Sequence, residues 1–347
     1  MTPLELGRYT LGLVAAIIML AGCGGAPSPI GEPGAMPQTS AIATHADRGT
    51  SWMRPDASRI KKLLYISDIA TNDVFVYNYK TGELLGTLAG FSRPGGQCVD
   101  VEGDIWITER DAHVVVKYRH GGVSPIKRLQ TGGNAGGCWI DPTTGDLAVS
   151  NQETPSGGGD IRVFTRSGFK DYSNPDCYYL ETPAYDSAGN LYVEAYSATY
   201  AVYVCELPHG GNALRTISVN QKLYGPGDVV WDGKYLVISD EFYGGGKTTV
   251  LFQTKERPSG ALTIVSTTVL TDTCDSGGPW VWQPFIVGKR NPPINSEQGN
   301  DLVALNAYCP KGEWFSAWAY PSGGNPMSTP SNQPEEPEGQ SVSISAS

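Results

Sequence analysis

Three observations predict an all-β protein whose short strands repeat along one folded region. The 347-residue chain contains 43 glycines and 25 prolines, about a fifth of all residues and well above ordinary usage. Only 17% of the residues are charged and 10% are aromatic, a balance that favours short strands and turns over long solvated helices. The third observation is a sequence pattern that recurs every 41 to 46 residues.

In each copy of this pattern, an apolar strand ends at or near Asp, a Gly-containing turn follows, and a second apolar strand ends at a polar residue. A third strand ends on an aromatic residue, often before Gly-Gly. The aspartates that mark four copies are Asp100, Asp141, Asp186 and Asp232. A degenerate copy has strands at 280–282 and 302–305, and a further second strand, 63–67, opens the region. Because a four-stranded blade needs about 40 residues, six copies predict a six-bladed β-propeller over residues 50–330.

The first blade lacks an obvious innermost strand. Either residues 52–61 take that position or the blade keeps three strands. The repeats resemble those of NHL-type propellers over about residues 62–328, and the chain as a whole resembles a bacterial propeller lipoprotein of that superfamily. This resemblance implies the propeller architecture and leaves the activity open.

The N-terminus predicts export and a lipid anchor. Arg8 precedes an apolar run that ends in Leu-Ala-Gly-Cys at Cys23, which resembles a bacterial lipobox. We therefore expect residues 1–22 to be a lipoprotein signal peptide, with acylation at Cys23 and attachment to the cell envelope outside the cytoplasm. An ordinary signal peptide that happens to contain a cysteine is the alternative. Residues 23–49, rich in Gly, Ala, Pro, Ser and Thr, are expected to be a flexible tether.

The C-terminal residues 331–347 are rich in Pro, Glu and Ser. Their composition predicts a disordered tail, and deletion of residues 335–347 is expected to change the melting temperature by no more than about a degree or two.

Six cysteines remain after Cys23, an even number that suits an oxidising compartment. Cys274 and Cys309 are predicted to pair, because their loops share one face of the propeller. Cys98 lies two residues before the aspartate that ends its strand, and Cys138 lies three residues before the equivalent aspartate of the next blade. Because side chains alternate between the two faces of a strand, the two sulfurs can point toward each other. That leaves Cys177 with Cys205. Free buried thiols are the alternative. The absence of any CxxC spacing argues against a zinc or iron–sulfur site.

The second strands end on residues that are mostly carboxylates or amides. A ring of such oxygens at the mouth of the central channel suits Ca²⁺, Mg²⁺ or a hydroxyl-rich or cationic ligand, although Asp and Asn also favour strand-to-turn junctions for local reasons. The five candidates are Asp68, Glu109, Asn151, Asp240 and Asn306.

Gluconolactonase-like propellers are the enzymes that this architecture resembles. Their metal ligands lie mainly at the starts of the innermost strands, where only Glu181 and Asp228 of this chain can serve. The amide ligands of that family are missing, which argues against a metal-dependent lactonase.

Other motifs favour structural roles. The segment 274–279 resembles the nucleophile motif of chymotrypsin-like proteases, but no histidine is positioned to act as its base. His120 and His209 occupy equivalent turns, and the tryptophans of the last blade favour core packing. A net charge of −10 argues against nucleic-acid binding.

The sequence therefore predicts a monomeric, lipid-anchored binding or scaffolding module for a protein, peptide or glycan. No catalytic residue is assigned, and Ca²⁺ or Mg²⁺ at the channel mouth is the one cofactor left open. The alternative is a metal-dependent hydrolase or lyase with its site at the channel mouth.

Overall fold

The computed structural model describes residues 49–243, 248–257, 260–271, 283–287, 300–305, 315–325 and 334–345. They belong to one compact unit that extends from Asp47 to Ser347. This unit is an all-β propeller, in which antiparallel sheets follow one another along the chain around a central axis. Within the described ranges, no helix is both long and apolar enough to cross a membrane.

The strands of the first three sheets are short and are joined by turns. The first sheet contains β1 (Trp52–Met53), β2 (Lys62–Asp68), β3 (Asp73–Asn78), β4 (Leu84–Leu88) and a final strand, β25 (Pro337–Ile344). The second contains β5 (Pro94–Val99), β6 (Ile105–Glu109), β7 (Val114–Tyr118) and β8 (Pro125–Gln130). The third contains β9 (Ala135–Ile140), β10 (Leu147–Asn151), β11 (Asp160–Thr165) and β12 (Gly168–Tyr172).

The remaining strands form three further sheets. The fourth contains β13 (Tyr179–Leu180), β14 (Ala184–Tyr185), β15 (Leu191–Tyr196), β16 (Val202–Leu207) and β17 (Arg215–Ile217). The fifth contains β18 (Pro226–Trp231), β19 (Leu236–Phe242), β20 (Thr248–Glu256) and β21 (Leu262–Leu270). The sixth contains β22 (Phe285–Val287), β23 (Asn300–Leu305) and β24 (Phe315–Tyr320).

Five of these sheets are complete blades of four or more strands, whereas the sixth has three strands among the described residues. The prediction of six complete blades is therefore not met, and the described structure has five. The physical reason lies in the last copy of the repeat, which is degenerate and carries a long insertion. Its expected innermost strand at 280–282 lies outside the described residues, and β22 pairs with β23 instead.

The repeated aspartates shape the turn between the first two strands of a blade. In the second blade, Asp100 Oδ1 accepts backbone N–H bonds from Glu102 and Asp104, at 3.1 and 3.0 Å. Gly103 completes the turn with φ at 81°, a conformation that glycine adopts without steric cost. Carboxylate oxygens of Asp141, Asp186 and Asp232 accept equivalent bonds. The repeat is thus the sequence signature of an Asx turn that recurs in the second, third, fourth and fifth blades.

Apolar side chains fill the spaces between neighbouring blades. Leu63, Tyr65 and Val74 of the first blade pack with Ile105 and Val116 of the second in one buried cluster. Other clusters join the third blade to the fourth and the fourth to the fifth. The second to fifth sheets therefore bury both faces against their neighbours, which a single isolated blade cannot do.

The first blade is completed by the far end of the chain. β25 pairs antiparallel with β2 and becomes the innermost strand, in register from Lys62 opposite Ile344 to Asp68 opposite Pro337. β1 lies at the outer edge, paired with β4. Neither of the two arrangements expected for this blade is therefore correct.

The prediction of a disordered tail over 331–347 is wrong for β25, and the propeller extends beyond residue 330. Ser341 and Ser343 are fully buried, and Val342 and Ile344 pack against the first blade. A Cβ atom added at Gly339 would lie 2.4 Å from the carbonyl oxygen of Gly95, so the innermost strand has no room for larger side chains there. Small polar residues that are typical of disordered segments are here required by close packing.

Two disulfides confirm two of the predicted pairs. Cys98–Cys138 joins the innermost strands of the second and third blades, with the Cα atoms 5.5 Å apart. Cys177–Cys205 lies within the fourth blade. Cys274 and Cys309 lie outside the described residues. Because structural disulfides persist in oxidising compartments, the two bonds indicate an extracytoplasmic location.

Candidate functional site

A cavity of about 290 Å³ opens on the face where the innermost strands begin. We call it the axial cavity. It is lined by residues from the first five blades: Arg93, Arg110, Gly136, Gln152, Tyr179, Glu181, Thr182, Asp228 and Glu338. Its position follows from the fold, because the loops that enter each innermost strand and those that leave each second strand meet on this face. Convergent polar groups in a concave site of this size are typical of a small-ligand pocket.

Asp228 helps to form the wall of the cavity that lies nearest the axis. One carboxylate oxygen accepts the backbone N–H of Thr182 and the other accepts that of Gln283. The residue is 2% exposed, and its φ of 98° is an uncommon conformation for a non-glycine residue. Such strain persists only where the surroundings fix it, and it is concentrated at functional sites.

Gln283 extends this network to the first and second blades. Its side-chain oxygen accepts backbone N–H bonds from Gln97 and Gln340, at 2.7 and 3.1 Å. Its side-chain nitrogen donates to the carbonyl oxygen of Gln97. Hydrogen bonds through Asp228 and Gln283 therefore connect five of the six sheets around the axis.

Two carboxyl groups of the axial cavity hold protons unusually tightly. Burial, and then the nearby Asp228 carboxylate, raise the pKa of Glu181 to about 8. Burial raises the pKa of Asp228 to about 7, although the N–H groups of Gln283 and Thr182 favour its charged form. The two groups titrate as a pair. Near neutral pH this pair can both donate and accept a proton.

Glu194 adds a third buried carboxyl behind this pair. It is fully buried, and neither of its oxygens has a hydrogen-bond partner in the part of the chain that the structure describes. Burial, followed by the charges of Asp228 and Asp240, raises its pKa well above the ordinary value. We therefore expect Glu194 to be protonated, since an unpaired buried carboxylate is costly.

Two arginines offer positive charge on the other side of the axial cavity. Arg110 Nη2 pairs with Glu338 of β25 at 3.0 Å, whereas Arg110 Nε is buried without a hydrogen-bond partner among the described residues. Arg93 is exposed at the rim, and the described structure contains no ion pair to its guanidinium. Among the described residues, Glu338 therefore pairs with Arg110 alone, and the exposed guanidinium of Arg93 stays available to a ligand.

The second-strand residues proposed from sequence as a channel ring lie on this same face, but none of those described lines the axial cavity. Asp68 accepts backbone N–H bonds from Ala70, Glu335 and Glu336. Asp240 accepts those of Tyr224, Gly225 and Phe242, each at 3.1 Å. Both carboxylates hold the loops that cross this face.

Glu109 and Asn151 are engaged in the same way. Glu109 accepts the N–H of Ser92 at 3.0 Å and a bond from Arg128 at 3.1 Å. Asn151 donates to the carbonyl oxygen of Thr131 and to Asp160. Asn306 lies outside the described residues. These contacts support the turn-forming interpretation of the ring, and its role in ligand binding stays a prediction.

A metal site can be tested against the donors present. The described residues contain no group of three or more His, Cys, Asp or Glu side chains arranged to hold a metal ion. Glu181 and Asp228 are the two acidic candidates at the starts of inner strands, and both oxygens of Asp228 already accept backbone N–H bonds. This donor set does not fit Ca²⁺ or Mg²⁺, which require six or more oxygen ligands.

The other motifs have structural positions or lie outside the described residues. His120 Nδ1 lies 2.5 Å from Ser343 Oγ and its Nε2 lies 2.8 Å from the carbonyl oxygen of Ile60. His120 therefore fastens β25 to the first blade. The protease-like segment 274–279 and Cys23 lie outside the described residues.

Sequence reasoning found part of the axial cavity and missed the rest. Glu181 and Asp228 were singled out through the comparison with lactonase-like propellers. No repeated sequence pattern marks Arg93, Arg110 and Tyr179, which lie in loops or at strand ends. Glu338 belongs to the segment that is expected to be disordered. The one available signal was the position of Arg93 directly before an innermost strand.

Comparison with known proteins supports the fold alone. No protein-family model matches the sequence, and no curated protein matches it. A crystal structure of a nidogen/laminin complex contains a chain with a TM-score of 0.59 at 14% identity, and the match covers 82% of this chain and 99% of that one. A functionally unknown protein from Desulfotomaculum acetoxidans gives a TM-score of 0.54 at 10% identity, over 82% and 99% of the two chains.

A gluconolactonase-like protein is also similar, with a TM-score of 0.48 at 15% identity over 74% of this chain and 86% of that one. This likeness is too weak to support any inference about activity. The two matches with TM-scores above 0.5 support the propeller fold. They carry no function, because proteins that share a fold at such low identity can differ in activity.

Proposed function

We propose that the protein is a lipid-anchored extracytoplasmic propeller that binds a protein loop, a peptide or a glycan in the axial cavity. The observation that carries the proposal is the cavity itself. It brings an arginine that has no ion pair among the described residues and a buried carboxyl pair with raised pKa values together on a rigid ring, at a face built from loops. Such a site offers both donors and acceptors to one polar group of a ligand.

The anchoring part of the proposal rests on Cys23 and its preceding apolar run. A Cys23→Ala variant should leave the membrane fraction, because the diacylglycerol would no longer be attached. Cell fractionation followed by immunoblotting measures this. Retention of the variant in the membrane fraction would refute the lipid anchor.

The binding part can be tested with arrays of peptides and glycans probed with the full chain purified in detergent. Wild type is compared with Arg93→Glu, a change at an exposed rim residue that reverses its charge. The matched control is Arg166→Glu, because Arg166 is an exposed arginine beside the β11–β12 turn on the opposite face. The proposal requires at least one ligand that Arg93→Glu weakens and Arg166→Glu does not. If every ligand is insensitive to Arg93→Glu, the axial cavity is not the binding site.

A hydrolase or lyase at the same cavity is the second candidate function. The observation that favours it is the coupled pair of Glu181 and Asp228, whose raised pKa values suit proton transfer near neutral pH. Assays on lactones and esters, with Glu181→Gln as the inactive comparison, test this candidate. Metal analysis of the same preparation tests whether any activity depends on a metal.

A further inference from the structure

A row of tyrosines leads outward from the axial cavity across the fourth blade. Tyr179 lines the cavity, and its Cα is paired with that of Tyr196 on the neighbouring strand β15. Directly paired residues of an antiparallel sheet place their side chains on the same face. The ring of Tyr200 packs edge-on against that of Tyr196, with the centroids 6.0 Å apart. We call these three residues the tyrosine row.

Tyr200, at the outer end of the row, is held in an unusual position. Its φ is 62°, in the left-handed region, and its side chain is 82% exposed. A large side chain rarely adopts this backbone conformation, and burial cannot explain it here. The turn between β15 and β16 instead presents the ring to solvent.

The tyrosine row continues into a second, larger cavity of about 680 Å³ on the flank of the fourth blade. Tyr200 lines this cavity together with Tyr203, Tyr224 and Lys222. The space arises because β17 is only three residues long and pairs with β16 from Val204 to Glu206. The tyrosine row thus links Tyr179, which lines the axial cavity, to Tyr200, which lines the flank cavity.

The chemistry of the tyrosine row suits a chain of sugars. A tyrosine ring presents an apolar face and a polar hydroxyl, which matches a sugar ring with its C–H face and surrounding hydroxyls. The axial cavity, at about 290 Å³, has room for one such ring. Successive sugars can then lie on Tyr179, Tyr196 and Tyr200.

The arginines of the axial cavity specify the charge of the sugar that enters it. Arg93 has no ion pair and Arg110 Nε has no hydrogen-bond partner within the described ranges. Guanidinium donors bind carboxylates in preference to neutral oxygens. The chain as a whole carries a charge of −10, so attraction of an anionic ligand must come from a local feature such as these two residues.

We infer that the protein binds an acidic oligosaccharide, with the carboxylate of one uronate sugar at the guanidinium groups of Arg93 and Arg110 and the following sugars on the tyrosine row. This inference rests on the proposed function, since it names the ligand class of the same site.

The test uses trigalacturonate, its fully methyl-esterified form and monomeric galacturonate, with binding to the full chain measured by isothermal titration calorimetry. Wild type should bind trigalacturonate at least about tenfold more tightly than the methyl ester, because esterification removes the charges while keeping the sugar rings. Arg93→Ala should abolish this preference. Tyr200→Ala should weaken trigalacturonate about tenfold and leave the monomer unchanged, whereas Tyr200→Phe should retain binding.

Two matched controls lie on the opposite face of the propeller. Arg166→Ala removes an exposed arginine and Phe169→Ala removes an aromatic side chain that is 55% exposed, so neither should affect binding. Equal affinity for the acid and its ester, or no binding of either, would overturn the inference. Equal, Arg93-dependent binding of a poly-glutamate peptide would also overturn it, because the site would then recognise acidic protein segments. In that case the proposed function survives, whereas a complete absence of Arg93-dependent ligands on the arrays would remove both.

Discussion

Strand β25 lies next to the propeller axis, and strand β12 lies at the rim of the third blade. In each of these two strands, burial is the opposite of what the composition would suggest. β25 consists largely of Pro, Glu, Gly, Gln and Ser, yet seven of its eight residues are buried. β12 contains Phe169 and Tyr172, yet four of its five residues are exposed. Distance from the axis therefore sets burial in this fold more strongly than side-chain hydrophobicity does. The innermost strands approach one another so closely that small and hydrogen-bonding residues fit best.

The largest effect is expected from removing the innermost strand of the first blade. Deletion of residues 335–347 exposes the full edge of β2 and removes the apolar contacts of Val342 and Ile344. It also removes Glu338 from the lining of the axial cavity. We expect the melting temperature to fall by more than about 10 °C. Differential scanning calorimetry measures this, with deletion of only residues 346–347 as the control. An unchanged melting temperature would show that β25 does not close the ring.

The next largest effect is expected from the bond between two innermost strands. The paired change Cys98→Ala and Cys138→Ala removes a cross-link that spans 40 residues. Loss of such a disulfide costs about 2–5 kcal/mol of unfolding free energy. Urea unfolding of this variant and wild type gives the difference. A loss below about 1 kcal/mol would mean that the strands are held together mainly by packing and hydrogen bonds.

Alanine substitutions at two glycines distinguish contact with the backbone of a neighbouring strand from contact with a flexible side chain. Gly339→Ala places a methyl group against the backbone oxygen of Gly95, whereas Gly136→Ala meets only the flexible side chain of Gln152. We expect a loss of about 2–3 kcal/mol for the first and clearly less for the second. Urea unfolding again provides the measurement. Equal losses would indicate that the innermost strands can move apart without cost.

The carboxyl pair at the axis predicts a dependence of stability on pH. Glu181 and Asp228 have pKa values raised to about 8 and about 7, so the folded protein binds more protons than the unfolded chain. Stability from these groups should be greatest below about pH 4, the ordinary pKa of a carboxyl group, and should fall between about pH 4 and pH 8 before it levels off. Melting temperatures from pH 4 to pH 9 test this. Glu181→Gln should flatten the decline, and an equally steep decline in that variant would assign the effect elsewhere.

The smallest effect is expected at the rim. Ile126 of β8 is 46% exposed, and Ile126→Ser should change the unfolding free energy by no more than about 0.5 kcal/mol. A matched Ile344→Ser change in β25 should cost more, since Ile344 is 9% exposed. Chemical unfolding of the two variants compares rim and axis directly. A larger loss at Ile126 would contradict the relation between axial distance and burial.

Local features of the fold were predictable from sequence, and those that join distant segments were not. Asp100 and its equivalents were found because each organises its own turn within a few residues. Parity along equivalent strands was enough to pair Cys98 with Cys138. The pairing of Ile344 with Lys62, by contrast, leaves no local pattern, since strand pairing across the whole chain depends on closure of the ring.

The candidate site shows the same limit. The sequence shows that carboxylates end several second strands, but it does not reveal that Asp68 and Asp240 direct their oxygens to loop N–H groups. The convergence of Arg93, Tyr179 and Glu338 required the three-dimensional arrangement of three separate blades. Charge and ring chemistry at a cavity can be recognised only after the fold has brought them together.

The pairing of β25 with β2 also sets the order of events during biosynthesis. The ribosome makes the strand near residue 62 well before its partner near residue 344. The first blade therefore stays incomplete until β25 has been made, and closure requires the ends of a segment of nearly 300 residues to meet. A chain that crosses a membrane from its N-terminus would in this way remain unclosed until β25 had emerged.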